Sequence, residues 1–215
     1  MSQTIAKQSN YPQRSIEWQA ERLGKFTSSK ASDLLGIKGL GETGKTYARK
    51  LAVDIVEGID YDEKEASMTF SMRLGVENEP YAFEQFKQLK TLEFLEVTNC
   101  GFFELTKDIG GSPDGLVGDN AVLEIKCPNY DTFFKLVIDQ EIDKKYYAQM
   151  QHQMWITDRQ HAYFFNYVIH NGEPKWHEII VHRDENTIDL LKSRTAEAII
   201  IRDEYIEKLR KNRQY

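Results

Sequence analysis

With 215 residues, 40% hydrophobic and 29% charged, the chain has apolar material for one sizeable core rather than two, in the proportions of a globular protein. No apolar run approaches the roughly 18 residues of a membrane span. The opening MSQTIAKQSNYPQR lacks the apolar stretch of a secretory signal, and Cys100 and Cys127 are too few for a disulfide framework. The expectation is a cytoplasmic protein with two reduced, core-facing thiols. The net charge of −6 opposes a nucleic-acid partner, but residues 1–50 carry nine Lys/Arg against four Asp/Glu and the remainder nineteen against thirty. Such asymmetry leaves room for one basic face on an acidic chain.

No repeat, low-complexity tract or Pro/Gly/Ser-rich linker divides the chain, so 1–215 reads as a single domain, with 1–14 as a flexible N-terminal tail. SIEWQAERLGKFTSSKASDLLG predicts a short helix, a turn at Gly24 and a second helix capped by Thr27, Ser28 or Ser29. TYARKLAVDIVEG (46–58) carries Tyr47, Leu51 and Ile55 at helical spacing and stops at Gly58. NEPYAFEQFKQLK predicts a helix with Pro80 near its first turn, where proline is tolerated. The pattern then turns extended over 93–105, and GLVGDNAVLEIKC (115–127) predicts two strands joined at Gly118-Asp119-Asn120. Helices follow at DTFFKLVIDQ and KKYYAQMQHQMWIT. HAYFFNYVIH and PKWHEIIVH flank the hairpin dipeptide Asn171-Gly172. The last helix spans about 187–210, with Ile188, Leu191, Ile199, Ile206 and Leu209 on its apolar side. The fold class is α/β (α+β), a mixed central sheet flanked by helices.

Chemistry concentrates in SPDGLVGDNAVLEIKCP (112–128). Alternation along a strand puts Glu124 and Lys126 on one face and Leu123, Ile125 and Cys127 on the other. The turn near 119 folds Asp114 back to the level of 124–126. Two carboxylates and the Ile125 carbonyl offer the oxygen shell that Mg²⁺ prefers. Lys126 beside them is placed to orient or deprotonate a water and to stabilise a developing phosphorane charge. Taken singly, each feature has a plainer reading: Ser-Pro-Asp-Gly is a common turn, and Glu-x-Lys a common surface pair. Together they point to phosphodiester hydrolysis.

The same residues resemble the PD-(D/E)xK nucleases, whose core is restriction-endonuclease-like, and within them the phage lambda-type exonuclease family. Pro113-Asp114 and Glu124-Ile125-Lys126 match the signature and Cys127-Pro128 extends it. RLGKFTSS (22–29), RLGVENEP (73–80) and YYAQMQHQMWIT (146–157) resemble further family elements in the family order. The resemblance implies that Asp114, Glu124 and the Ile125 carbonyl hold metal, Mg²⁺ or Mn²⁺, as two ions per site, with Lys126 as catalytic lysine. It puts Glu79 at the first acidic position, where a helix N-terminal acid favoured by the dipole is the plainer reading. It turns Gln149 toward the active site and leaves Gln151 open. It implies that Arg22, Ser29 and Ser112 bind a DNA 5′-phosphate and that Met72 lies near a strand-separating wedge. It further implies a homotrimeric ring in the bacterial host cytoplasm that degrades one strand of linear double-stranded DNA from its 5′ end. The 3′ strand left behind would serve a single-strand annealing protein.

Two competitors stand beside this reading. GLGETGKT (39–46) satisfies the P-loop expression, yet what precedes it is polar and helical where a P-loop needs a buried strand. The plainer account is a loop with Thr43 or Thr46 capping the next helix. A DNA-binding module that has lost its chemistry would share the fold, though the intact Asp114, Glu124 and Lys126 argue against it. His152, His161, His170, His177 and His182 show no zinc-site pairing and read as structural or surface residues.

Overall fold

The computed structural model describes residues 6–59 and 70–212, with the side chains of 70–72 left out. The frame is a five-stranded sheet in the order β3 (Val97–Thr98), β6 (Gly115–Val117), β7 (Ala121–Lys126), β8 (His161–His170) and β9 (Glu173–His182). Within it only β7 and β8 run parallel, and their crossover is made by α4 (Tyr130–Asp139) and α5 (Lys144–Thr157). The two expected hairpins are present. Gly118 at φ 48° turns β6 into β7, and Asn171 and Gly172 at φ 53° and 79° turn β8 into β9, the left-handed pair that a two-residue hairpin requires.

β7 is apolar on both sides because both sides are covered. Leu123 and Ile125 join Phe83, Phe86, Phe165 and Tyr167 beneath α3 (Phe70–Leu92). Val122 joins Met150, Met154 and Phe164 beneath α5. Glu124 shares the α5 side with Val122, as alternation requires, and is fully buried.

A second sheet, β1 (Lys7–Gln8), β4 (Phe103–Thr106), β5 (Ile109–Gly111) and β2 (Phe26–Thr27), stands beside the first. α1 (Ile16–Arg22) precedes β2, with Ser15 Oγ accepting from the Trp18 amide as its cap. The helix expected after Thr27 is a 3₁₀ helix, Ser28–Leu34, and Thr27 precedes it without a side-chain cap bond. α6 (Glu185–Asn212) closes the molecule over α2 (Gly41–Glu57), burying Ile188, Leu191 and Ala198. No described helix is long and apolar enough to cross a membrane.

Several expectations are corrected. α2 starts at Gly41, so Thr43, Gly44, Lys45 and Thr46 lie within its first turns and neither threonine caps it. Lys45 Nζ bonds Glu42 at 2.9 Å, and what precedes the glycines is the 3₁₀ helix rather than a strand. The P-loop reading fails for want of a strand-borne phosphate cradle. α3 begins well before Pro80, which stands in its interior and leaves the Val76 carbonyl without its helical partner. Glu79 is therefore not a helix N-terminal acid. Residues 6–14, expected within a flexible tail, are held in place: Lys7 and Gln8 pair with Glu104 and Phe103, and Ser9 N donates to Phe102 O at 2.8 Å.

Candidate active site

Local strand geometry assembles the centre. The Asp114 amide donates to the Leu123 carbonyl at 2.9 Å, and Asp114 Oδ2 accepts from the Ile125 amide at 2.6 Å. Asp114 is thereby fixed across the hairpin at the end of β7, where the turn near 119 was expected to bring it. Glu124 Oε1 accepts from Lys126 Nζ and from Gln149 Nε2, the latter at 2.7 Å. Its Oε2 accepts from Gln153 Nε2 at 2.6 Å.

Burial pushes the Asp114 carboxyl well above the ordinary range, and the charges of Glu124 and Glu79 push it further against the pull of Lys126. For Lys126 burial works to depress the ammonium, but Glu124 and Asp114 outweigh it and hold the group protonated beyond its usual pH. Acids crowded together in this way favour a cation between them. Among the described residues no three His, Cys, Asp or Glu side chains stand close enough to hold a metal by themselves. A cation at this place would take Asp114, Glu124, the Ile125 carbonyl and waters, an all-oxygen set that fits Mg²⁺ or Mn²⁺.

Glu79 reaches the same cleft from α3. A cavity of about 580 Å³ runs between the N-terminal segment and α3, lined by Tyr11, Gln13, Glu79, Pro80, Asp114 and Ile125 among others. Its roof is tied down twice: Gln13 Nε2 donates to the Pro113 carbonyl at 2.8 Å, and Arg14 pairs with Glu79 at 2.5 Å.

Two of the three expected phosphate residues, Arg22 and Ser112, are joined through Trp18. The Arg22 guanidinium lies over the Trp18 ring at 4.1 Å, and Trp18 Nε1 donates to Ser112 Oγ at 2.8 Å. The parallel register of β2 on β5 pairs Thr27 with Gly110, and Ser29 follows in the first turn of the 3₁₀ helix, its hydroxyl 3.3 Å from that of Thr27. Ser29 is exposed, while its buried neighbour Ser28 bonds His152 Nδ1 at 2.9 Å. Met72 lies in the first turn of α3, and its side chain falls outside the described residues.

Gln149 faces Glu124 as expected. Gln151 does not: its amide donates to the His182 carbonyl and its oxygen accepts from the Asp184 amide, both at 2.8 Å. Gln153 and Trp18 are the residues that sequence reasoning missed, although each stands four residues from a recognised partner on one helix face, Gln149 and Arg22 respectively. Burial raises both thiols, Cys100 and Cys127, to about 12, which leaves them inert as nucleophiles.

A family model described as a YqaJ-like viral recombinase domain matches residues 17–160. Among solved structures, LHK-Exo, an alkaline exonuclease from Laribacter hongkongensis, is 28% identical, with a TM-score of 0.79 over 92% of this chain and 97% of that one. Its complex with dAMP superposes at a TM-score of 0.80 with the same identity and coverage. A phage-related exonuclease from Haemophilus somnus 129PT shares the fold at 19% identity and a TM-score of 0.65, over 86% of this chain and 96% of that one. No curated protein matches the chain.

Proposed function

The chain belongs to the YqaJ-like viral recombinase family, and from that premise we propose that it is a metal-dependent 5′-to-3′ exonuclease acting on linear double-stranded DNA. The observation that carries the reading is the clustering of Asp114, the tethered Glu124 and a protonated Lys126 at one strand end. The exonuclease relatives agree with it.

In this reading Asp114, Glu124 and the Ile125 carbonyl hold one or two divalent ions. Bound there, Mg²⁺ or Mn²⁺ supplies Lewis acidity toward the scissile phosphate and lowers the pKa of a water. Lys126, kept charged by its carboxylate neighbours, orients that water and offsets charge accumulating on the phosphoryl oxygens. Gln149 and Lys126 share Glu124 Oε1 and fix its angle. Glu79 is held by Arg14 at the cleft wall and adds an acid when that pair opens. Arg22, Ser112 and Ser29 receive the 5′-phosphate, with Trp18 holding Arg22 and Ser112 together. A homotrimeric ring and a single-strand annealing partner belong to the same proposal. A ring confines the positive potential DNA needs to a channel lining, and so reconciles a net charge of −6 with this substrate.

The test uses linear duplexes labelled at the 5′ or 3′ end of one strand, with 5′-phosphate or 5′-hydroxyl termini, beside closed circles. The proposal expects mononucleotides from the 5′ end and a rate that falls when the phosphate is absent. It also expects Arg22→Ala to erase the difference between the two termini. Cutting of closed circles, or release from the 3′ end first, would overturn it.

A further inference from the structure

Three polar residues stand in sequence in the buried part of α5, and each is fully buried: Gln151, His152 and Gln153. Gln151 satisfies both ends of its amide on the backbone that follows β9. His152 joins the 3₁₀ helix through Ser28. Its Nε2 is buried without a partner among the described residues. Gln153 differs from Gln151. Its nitrogen donates to Glu124 Oε2, and its oxygen is buried with no hydrogen-bond partner among the described residues. A buried acceptor left unmet opposes folding, so a glutamine kept for the fold would be satisfied at both ends, as Gln151 is. Among the described residues the one hydrogen bond that the Gln153 side-chain amide makes is to the carboxylate of the centre.

The contacts around Glu124 divide by oxygen. Oε1 carries Lys126 and Gln149, both partly exposed, while among the described residues Oε2 carries only the buried Gln153. Without Gln153 nothing described holds Oε2, and the carboxylate is free to rotate about its last torsion. Losing a group that orients a metal-binding carboxylate without touching the metal typically weakens metal binding about ten- to a hundredfold. We propose that Gln153 is a positioning residue, whose side-chain amide fixes Glu124 Oε2 and so sets the angle at which that carboxylate meets a divalent cation. This rests on the metal-dependent nuclease reading above.

The experiment titrates Mn²⁺ into the full chain and into Gln153→Met by calorimetry. Thermal unfolding with and without Mn²⁺, and the Mn²⁺ dependence of DNA cleavage, are measured alongside. The expected result is Mn²⁺ binding about tenfold or more weaker in Gln153→Met. The half-saturating Mn²⁺ for cleavage rises by the same factor, and Mn²⁺ raises the melting temperature less than in the wild type. Gln151→Leu is the control for a purely structural glutamine: it lowers the metal-free melting temperature and leaves the Mn²⁺ response alone. If Gln153→Met behaves like that control, the positioning role is wrong. Should the Met variant not fold, Gln153→Ser, which leaves room for a water, takes its place in the same comparison, with the same results expected and excluded. A wild type that neither binds Mn²⁺ nor cuts DNA overturns the nuclease reading and this proposal with it. A wild type that does both, with Gln153→Met indistinguishable from it, overturns the proposal alone.

Discussion

Replacing His152 by Gln and following urea unfolding between about pH 7.5 and about pH 5 isolates the contribution of one buried imidazole to acid stability. His152 is fully buried, and burial pulls its pKa down from 6.5 to about 3. The native state keeps the ring neutral, whereas the unfolded chain takes up a proton as pH falls below about 6.5. The stabilisation is therefore intact above about pH 6.5 and is lost progressively toward about pH 3. At about pH 5 linkage amounts to roughly 2 kcal/mol, and at about pH 7.5 to almost nothing. Other groups titrate in the same window, so the quantity to read is wild type minus His152→Gln. That difference should change by about 2 kcal/mol across the range, with the wild type losing more. Because His152 holds Ser28, beside Ser29 and Gly111, the loosening should reach the proposed phosphate pocket first. Parallel pH dependences in the two proteins would mean that the imidazole titrates alike folded and unfolded, and the prediction would fail.

Asp114→Asn removes a charge that burial and Glu124 both oppose. The metal-free protein should gain about 1 kcal/mol in urea unfolding, while cleavage falls at least about a hundredfold. Gly111→Ala forces a Cβ onto Ser28 Oγ and to 2.8 Å from Ile156 Cδ1; overpacking there should cost about 1–3 kcal/mol, read as a lower urea midpoint. Arg14→Gly relieves a backbone held at φ 71°, a gain of about 1 kcal/mol. It also breaks a half-exposed pair whose loss costs less than about 1 kcal/mol. Stability should stay near the wild-type value, while Glu79 is released to the cleft and the half-saturating Mg²⁺ for cleavage falls.

The parts of the centre that follow from local periodicity were legible before the fold was known. Asp114 opposite 123–125, Glu124 and Lys126 on one face and the Asn171-Gly172 hairpin all follow from a period of two and from turn chemistry. What escaped depends on pairing across long sequence distance. Nothing in MSQTIAKQSNYPQR announces that Lys7 and Gln8 pair with residues 103 and 104, or that Gln13 reaches the Pro113 carbonyl. Burial of Glu124 was equally invisible: an acid in an apolar strand reads as exposed until a helix carrying two glutamines covers it. Pro80 misled because proline usually marks a first turn, whereas α3 carries it in its interior. The glycines of 39–46 misled in the opposite sense: α2 starts inside a motif that reads as a loop. Gly44 stays in that helix because a Cβ there would stand 2.9 Å from the Asp33 carbonyl and overlap Leu40.

Whether the Asp114, Glu124 and Lys126 cluster is the catalytic centre is decided by single-turnover cleavage of 5′-phosphorylated linear duplex DNA. The wild type, Lys126→Ala and Glu124→Gln, each shown to be folded, are compared with Mg²⁺ and with EDTA. Strand loss should proceed from the 5′ end, require Mg²⁺ and fall by about a hundredfold or more in both variants. Cleavage that survives EDTA, or that Lys126→Ala performs at the wild-type rate, would contradict the assignment of this cluster as the catalytic centre.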